Sequence, residues 1–244
     1  MKIVFYITNH GYGHASRNVA IIQNLLTRNR DLCIVVKSDY ERCAFIKLNL
    51  SHYANQISYY DDCHEVGLLL LEGTLIPDVE LTKKRIETDF LQWNTYINRE
   101  KAFLKKEKPD LVVSDVVCWA IKSASDCGIK TVLIGNFAWG SMYKSFFGKE
   151  IYNVYDDYYK KADVSIWYEI HDKELEKITK KSINVSLISR KVDVHNVENI
   201  FKEHYQPIIF VTVGASANIK KPINVADLPY DFIITKGINL IGPN

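Results

Sequence analysis

The stretch that decides the fold is KIVFYITNHGYGHASRNVAIIQNLL, residues 2–26. KIVFYIT (2–8) is an unbroken apolar run of the kind that forms a strand buried on both faces. Val19, Ile22, Leu25 and Leu26 then recur at helical spacing. Between them lies NHGYGHASR, with two glycines, two histidines and an arginine. Gly11 and Gly13 let the backbone turn sharply and approach a ligand closely. The amides of Ala15 and Ser16 are expected to open the helix, where its dipole favours an anion. The spacing G-x-G-H is not the G-x-G-x-x-G fingerprint of dinucleotide-binding enzymes. Read alone, His14 suits a structural role at the turn as well as it suits chemistry.

The strand–helix alternation continues outward. LCIVVKS (32–38) reads as a second strand and DYERCAFIKLNL (39–50) as a second helix, with a short strand around QISYY in the less regular 51–77. Residues 80–108 read as one long helix with a stripe of Leu81, Ile86, Phe90, Trp93, Ile97 and Leu104, ended by Pro109. LVVSD (111–115) and KTVLIGN (130–136) are strands, separated by a helix that Gly128 stops; VSIWYEI (164–170) and NVSLIS (184–189) add edge strands. YNVYDDYYKKAD reads as an exposed amphipathic helix, a surface for an acceptor or partner. Such alternation predicts an α/β fold: a Rossmann-like, doubly wound parallel sheet. This first domain spans 1–190. A polar, helical linker over 191–206 follows, and PIIFVTVGAS (207–216) with FIIT (232–235) starts a second α/β domain over 207–244 that looks incomplete. Its strands are expected to pack on the first domain, pair with another copy or stay poorly ordered.

Composition narrows the function. The apolar share of 47%, the charged share of 25% and the net charge of +2 are those of an ordinary globular protein without a nucleic-acid footprint. Five scattered cysteines without a CxxC pair read as buried, reduced thiols of a cytoplasmic protein. No apolar run approaches the ~18 residues of a membrane helix, and a strand that follows Met1 directly leaves no room for a signal peptide. Asp61, Asp62, His64 and Glu65 resemble metal ligands but lack a supporting spacing, so no metal is expected.

In open α/β sheets ligands bind at the carboxyl ends of the strands. His14 follows the first strand, and Asp115 closes LVVSD. Asp115 suits a helix cap. It equally suits a carboxylate that holds one imidazole nitrogen of His14 while the other takes a proton. Asn136, Phe137 and Trp139 follow the next strand at the same edge, where aromatic rings can stack on a sugar or pack inward. Arg17, one turn into the first helix, can reach a phosphate or carboxylate. His10 suits a ligand contact too, but a solvated loop position suits it better.

These motifs in this order resemble the amino-terminal half of a GT-B nucleotide-sugar glycosyltransferase: G-x-G-H after the first strand, PDLVVSD about a hundred residues later, then a strand ending in NF-x-W. Among such sequences the chain is most similar to the glycosyltransferase-like domain that precedes the kinase in plant L-arabinokinases. The resemblance implies that His14 is the general base on an acceptor hydroxyl and that Asp115 orients it. Gly11, Gly13, Arg17, Asn136, Phe137 and Trp139 would line the acceptor cleft. It further implies a nucleotide sugar, UDP-linked, as substrate rather than cofactor, with its phosphates near Gly214 and Ser216 of VGAS. The glycine-rich helix and acidic ribose ligand of the donor side are missing, so donor binding by this stretch alone is expected to be weak. Sugar transfer is the expected reaction. A nucleotide-sugar hydrolase, or a non-catalytic half-enzyme that needs a partner chain, are the rivals.

Overall fold

A computed structural model describes residues 1–63, 65–214 and 218–242. The described residues form two compact units, 1–67 with 83–189 and 68–82 with 190–244.

The first unit opens with β1 (Lys2–Ile7), α1 (Tyr12–Arg28), β2 (Cys33–Lys37), α2 (Tyr40–Asn49) and β3 (Ile57–Tyr60). It continues through α3 (Val79–Glu107), β4 (Leu111–Asp115), α4 (Cys118–Asp126), β5 (Thr131–Gly135), α5 (Trp139–Lys144), α6 (Lys149–Tyr159), β6 (Val164–Tyr168) and β7 (Ser182–Val185). All seven strands are parallel, in the order β3-β2-β1-β4-β5-β6-β7. The order reverses between β1 and β4, where Ile7 pairs with Asp115. This is the switch point at which such sheets hold ligands. The expected α/β class and parallel sheet are therefore present.

One face of the sheet is closed by α1 and α2: Ile3, Phe5 and Ile7 pack with Val19, Ile22, Leu26, Ile34, Val36 and Ile46. On α3 the buried residues are Thr82, Ile86, Trp93, Ile97, Glu100 and Leu104, whereas Leu81 is exposed. Thr82 stands where the sequence suggests Leu81, and its hydroxyl accepts from the Leu69 amide at 3.1 Å within the second unit. Glu100 accepts hydrogen bonds from Lys37 Nζ at 2.7 Å and the Tyr6 hydroxyl at 2.8 Å, all three groups being buried. Asp62 stands 3.2 Å from the same ammonium, and the Phe103 ring centroid 4.1 Å away.

Four local expectations are corrected. The helix of YNVYDDYYKKAD is not an exposed surface: Ile151, Tyr155 and Tyr159, four residues apart, turn into the core, and Tyr155 meets Trp93 edge-on at 5.1 Å. The last edge strand lies at Ser182–Val185 rather than at 184–189. Helix α1 starts at Tyr12, so His14 belongs to its first turn and does not precede it. Cys33 is exposed at the edge of β2, while Cys43, Cys63 and Cys118 are buried; all five thiols are free.

The second unit holds α7 (Val194–Glu203), β8 (Ile208–Val211), β9 (Ile223–Asn224), β10 (Asp231–Ile234) and β11 (Leu240–Ile241), with β8–β10 and β9–β11 as parallel pairs. Residues 68–82, which the sequence reading kept with the first domain, are closed on themselves by an antiparallel bridge of Leu70 to Pro77 and join it through the Lys220–Glu72 ion pair and the Lys220 amide on the Gly73 carbonyl. Helix α7 buries none of its residues.

The Lys37–Glu100 pair yields a test of the core. Glu100→Leu leaves a buried ammonium with only half-exposed Asp62 as counter-ion and should cost about 3 kcal/mol in urea unfolding. The double variant Lys37→Met with Glu100→Leu should recover most of that loss, since apolar replacement of a whole buried pair is often neutral.

Candidate functional site

The two pieces that the sequence separates by a hundred residues meet at the switch point. Gly11 caps α1 with φ +78°, a conformation that costs glycine little, and places His14 in the first turn. Asp115 ends β4 beside β1, with its backbone carbonyl accepting from the Thr8 amide at 3.3 Å. His14 Nδ1 lies 2.8 Å from Asp115 Oδ1, both side chains buried. Asn18, one turn after His14 on the same helix face, donates to Asp115 Oδ2 at 2.6 Å and to the His14 carbonyl at 2.9 Å.

Asp115 does not cap α4. The cap position is Val117, which carries no side-chain bond, and the Ser114 hydroxyl donates to the Val117 carbonyl at 2.8 Å. Between them Val116 sits at φ +59°, a left-handed conformation that costs a β-branched residue about 1–3 kcal/mol. The turn is held by Tyr159, whose hydroxyl donates to the Val116 carbonyl at 2.6 Å.

Burial works to raise the Asp115 carboxyl, but the His14 charge and hydrogen bond, with Arg17 and Asn18, outweigh it and hold it below the ordinary value. An ionised carboxylate can only accept, so the proton between it and His14 sits on Nδ1, and in the neutral ring the lone pair falls on Nε2. Arg17 Nη2 stands 3.0 Å from Nδ1 and 3.8 Å from Asp115 Oδ1. With Nδ1 protonated, that contact sets the Arg17 charge against the carboxylate rather than a hydrogen bond on the imidazole. The guanidinium stacks on the buried Tyr168 ring at 4.9 Å.

Around the dyad the expected residues divide. Phe137 is half-exposed and meets His14 edge-on at 5.3 Å. Asn136 is half-exposed, with its carbonyl oxygen buried and unpartnered. A Cβ at Gly11 or Gly13 would meet nothing within 4 Å, so the loop faces open space. Trp139 is buried, stacked on Tyr143 at 5.4 Å, and its indole N–H donates to Glu65 Oε2 at 3.1 Å. It is a wall, with its polar edge already used. Gly214 has φ +79° in the second unit, and Ser216 and His64 lie outside the described residues.

Sequence reasoning missed Asn18, Tyr168 and the use of Glu65. A polar residue four positions after His14, on an otherwise apolar helix face, was the available signal for Asn18. Glu65 follows β3 at the same sheet edge, its amide donating to Asn9 Oδ1 at 3.2 Å. Burial pushes its carboxyl up to about 8 against the hydrogen bonds from Thr8 and Trp139, with Asp89 and Asp115 adding to the rise. His10 packs edge-on to Trp139 at 5.0 Å, and burial, with His14 and Arg42, lowers its pKa. Gly67 crosses against it: a Cβ there would lie 2.4 Å from His10 Nδ1. Among the described residues no group of three or more His, Cys, Asp or Glu is arranged to hold a metal, and no helix is long and apolar enough to cross a membrane.

No protein-family model matches the chain. The L-arabinokinase of Arabidopsis thaliana is 27% identical over 147 residues, which cover 60% of this chain and 14% of that protein. Among solved structures, Arabidopsis thaliana UGT89C1 complexed with quercetin matches 98% of this chain and 73% of its own, with a TM-score of 0.61 at 10% identity. Phytolacca americana UGT2, complexed with UDP-2-fluoro-glucose and pterostilbene, matches 96% of this chain and 71% of its own, with a TM-score of 0.60 at 10% identity. The fold is the Rossmann-like fold of GT-B glycosyltransferases. The chain spans 57% of Glycyrrhiza uralensis UGT73P12, another of these neighbours, and a seventh of the curated relative.

The Glu65 carboxyl gives the site a pH signature. With its folded value raised from 4.5 to about 8, its contribution to stability is complete below 4.5 and is lost as pH rises towards 8. Melting temperatures of wild type and Glu65→Gln should therefore diverge across that window, the wild type losing ground as pH rises. Parallel curves would show that Glu65 ionises normally.

Proposed function

We propose that the first unit is the acceptor side of a nucleotide-sugar-dependent glycosyltransferase, with His14 as general base and Asp115 as its orienter. The observation that carries this reading is the 2.8 Å contact of His14 Nδ1 with the buried Asp115 carboxylate at the switch point of the sheet. That contact leaves Nε2 as the basic atom beside the open glycine loop. Nε2 takes the proton of an acceptor hydroxyl as its oxygen attacks the anomeric carbon. The bond from that carbon to the diphosphate breaks, and the nucleoside diphosphate leaves with the electron pair. Asp115 stabilises the imidazolium that forms, and Asn18 fixes the second carboxylate oxygen so that the pair cannot rotate apart.

The fold supports the class of reaction, and UDP-bound neighbours such as the UDP-glucose: anthocyanidin 3-O-glucosyltransferase support a UDP-linked donor. We assign the donor phosphates to the glycine turn at Gly214, where a positive φ and open space around the α-carbon suit close backbone approach, the amide lying 3.5 Å from the Thr212 hydroxyl.

The test is release of UDP from a panel of UDP-sugars, with and without hydroxyl acceptors, by wild type and variants. His14→Ala should lower turnover by about 10²–10⁴-fold with little change in donor affinity. Asp115→Asn should fall in the same range, because the amide removes the charge that favours Nδ1–H. Acceptor-independent release would favour hydrolysis, and undiminished turnover in His14→Ala would overturn the base assignment.

A further inference from the structure

Beside the dyad lies a second polar group that the transfer chemistry leaves unused. Glu65, His10, Asn9 and Thr8 come together where β1 and β3 end, walled by Trp139. Glu65, His10 and Asn9 are each half-exposed, while Trp139 and Thr8, which hold the Glu65 carboxyl, are buried beneath the group. An aromatic series connects the group to the base: His14 to Phe137 at 5.3 Å, Phe137 to Trp139 at 4.9 Å, and Trp139 to His10 at 5.0 Å. We propose, resting on the glycosyltransferase reading above, that the acceptor is a neutral polyhydroxylated molecule of the sugar class, with Glu65, His10 and Asn9 reading its hydroxyls.

Charge accounting carries the choice of class. Arg17 is the cation nearest the base, and its charge faces Asp115 at 3.8 Å. Arg42, the cation nearest His10, is paired with Asp39 at 3.1 Å and Glu41 at 2.8 Å. Among the described residues around the dyad and His10, no uncompensated positive group therefore waits for a carboxylate or phosphate on the acceptor. The groups facing Glu65 are Cys63 on its own loop, Asp115 on β4, Asp89 on α3, Cys118 on α4, Tyr143 on α5 and Tyr155 and Tyr159 on α6. None of these described groups is a cation, so burial outweighs the hydrogen bonds from Thr8 and Trp139, and the carboxyl stays protonated near neutrality with its pKa pushed to about 8. A protonated carboxyl both donates and accepts, as do neutral imidazole and amide groups. This is the pattern that pairs with vicinal hydroxyls and penalises a charged ligand through unshared desolvation. Flavonoid-type acceptors carry their hydroxyls on flat aromatic rings and present a broad apolar face that this polar rim does not match.

The experiment is saturation-transfer NMR on the whole chain with D-xylose, D-glucose, D-glucuronate, D-glucosamine and quercetin as probes. Circular dichroism and melting temperature serve as folding controls for the variants. A neutral sugar should bind best, with glucuronate and glucosamine weaker by about tenfold. Glu65→Ala should weaken that binding by about tenfold, whereas Glu65→Gln, which keeps a donor and an acceptor, should stay within about threefold. Wild-type binding should fall on passing from about pH 7 to about pH 9, and that of Glu65→Gln should not. Binding of quercetin without either neutral sugar, equal binding of the charged sugars, no sugar binding at all, or unaltered binding by folded Glu65→Ala would each overturn the proposal. His14→Ala separates the two readings: loss of turnover with sugar binding retained supports both. Retained turnover removes the base assignment and leaves the sugar reading to stand or fall on the binding data.

Discussion

The constraint on which the first unit depends is the burial of one carboxylate. Asp115 has no exposed surface, and an uncompensated charge there would cost several kcal/mol. The chain meets that cost with groups drawn from one element: His14, Arg17 and Asn18 all stand on α1, whose first turn begins at Tyr12. The β1–β4 register, with Ile7 opposite Asp115, brings that helix end to the carboxylate. A shift of one residue in β4 would turn the carboxylate to the other face of the sheet, away from all three partners. Holding the His14 imidazole and closing the sheet core are thus the same structural act.

The turn after Asp115 shows the complementary cost. Val116 takes a left-handed conformation that a glycine would adopt freely, yet its side chain is fully buried and presses against Gly135. Tyr159 from α6 and Ser114 clamp the turn through hydrogen bonds of 2.6 Å and 2.8 Å. Strain held by packing at the end of a strand is a common companion of a functional side chain. Here it lets Asp115 face α1 while the chain enters α4 two residues later. The tyrosines of α6, which look like surface in sequence, are needed inside for this purpose.

Much of the fold was legible because the parallel strands are continuous apolar runs and each is followed by helical periodicity. KIVFYIT, LVVSD and KTVLIGN needed no tertiary knowledge. The dyad was legible as two residues at carboxyl edges, since strand alternation fixes which end faces the ligand side. What sequence concealed is whatever depends on packing across the sheet. Glu100 hides within the charged pattern of α3 because its partner, Lys37, is 63 residues away. Glu65 lies in an irregular segment next to two aspartates, where composition suggests an acidic cluster and only burial against Trp139 and Thr8 shows a neutral carboxyl. The attachment of 68–82 to the second unit rests on pairing with residues around Lys220, which no local pattern announces.

The central claim is that Asp115 fixes His14 with its proton on Nδ1 and its lone pair on Nε2. Two-bond nitrogen–proton correlation NMR of the imidazole side chains reads that state directly, with His14→Gln assigning the signals. At a pH where the ring is neutral, His14 should show a protonated, pyrrole-type Nδ1 and an unprotonated, pyridine-type Nε2, and Asp115→Asn should abolish this preference. A wild-type His14 with its proton on Nε2 would contradict the account, for its Nδ1 lone pair would then face the carboxylate and Nε2 would have no basicity to offer an acceptor.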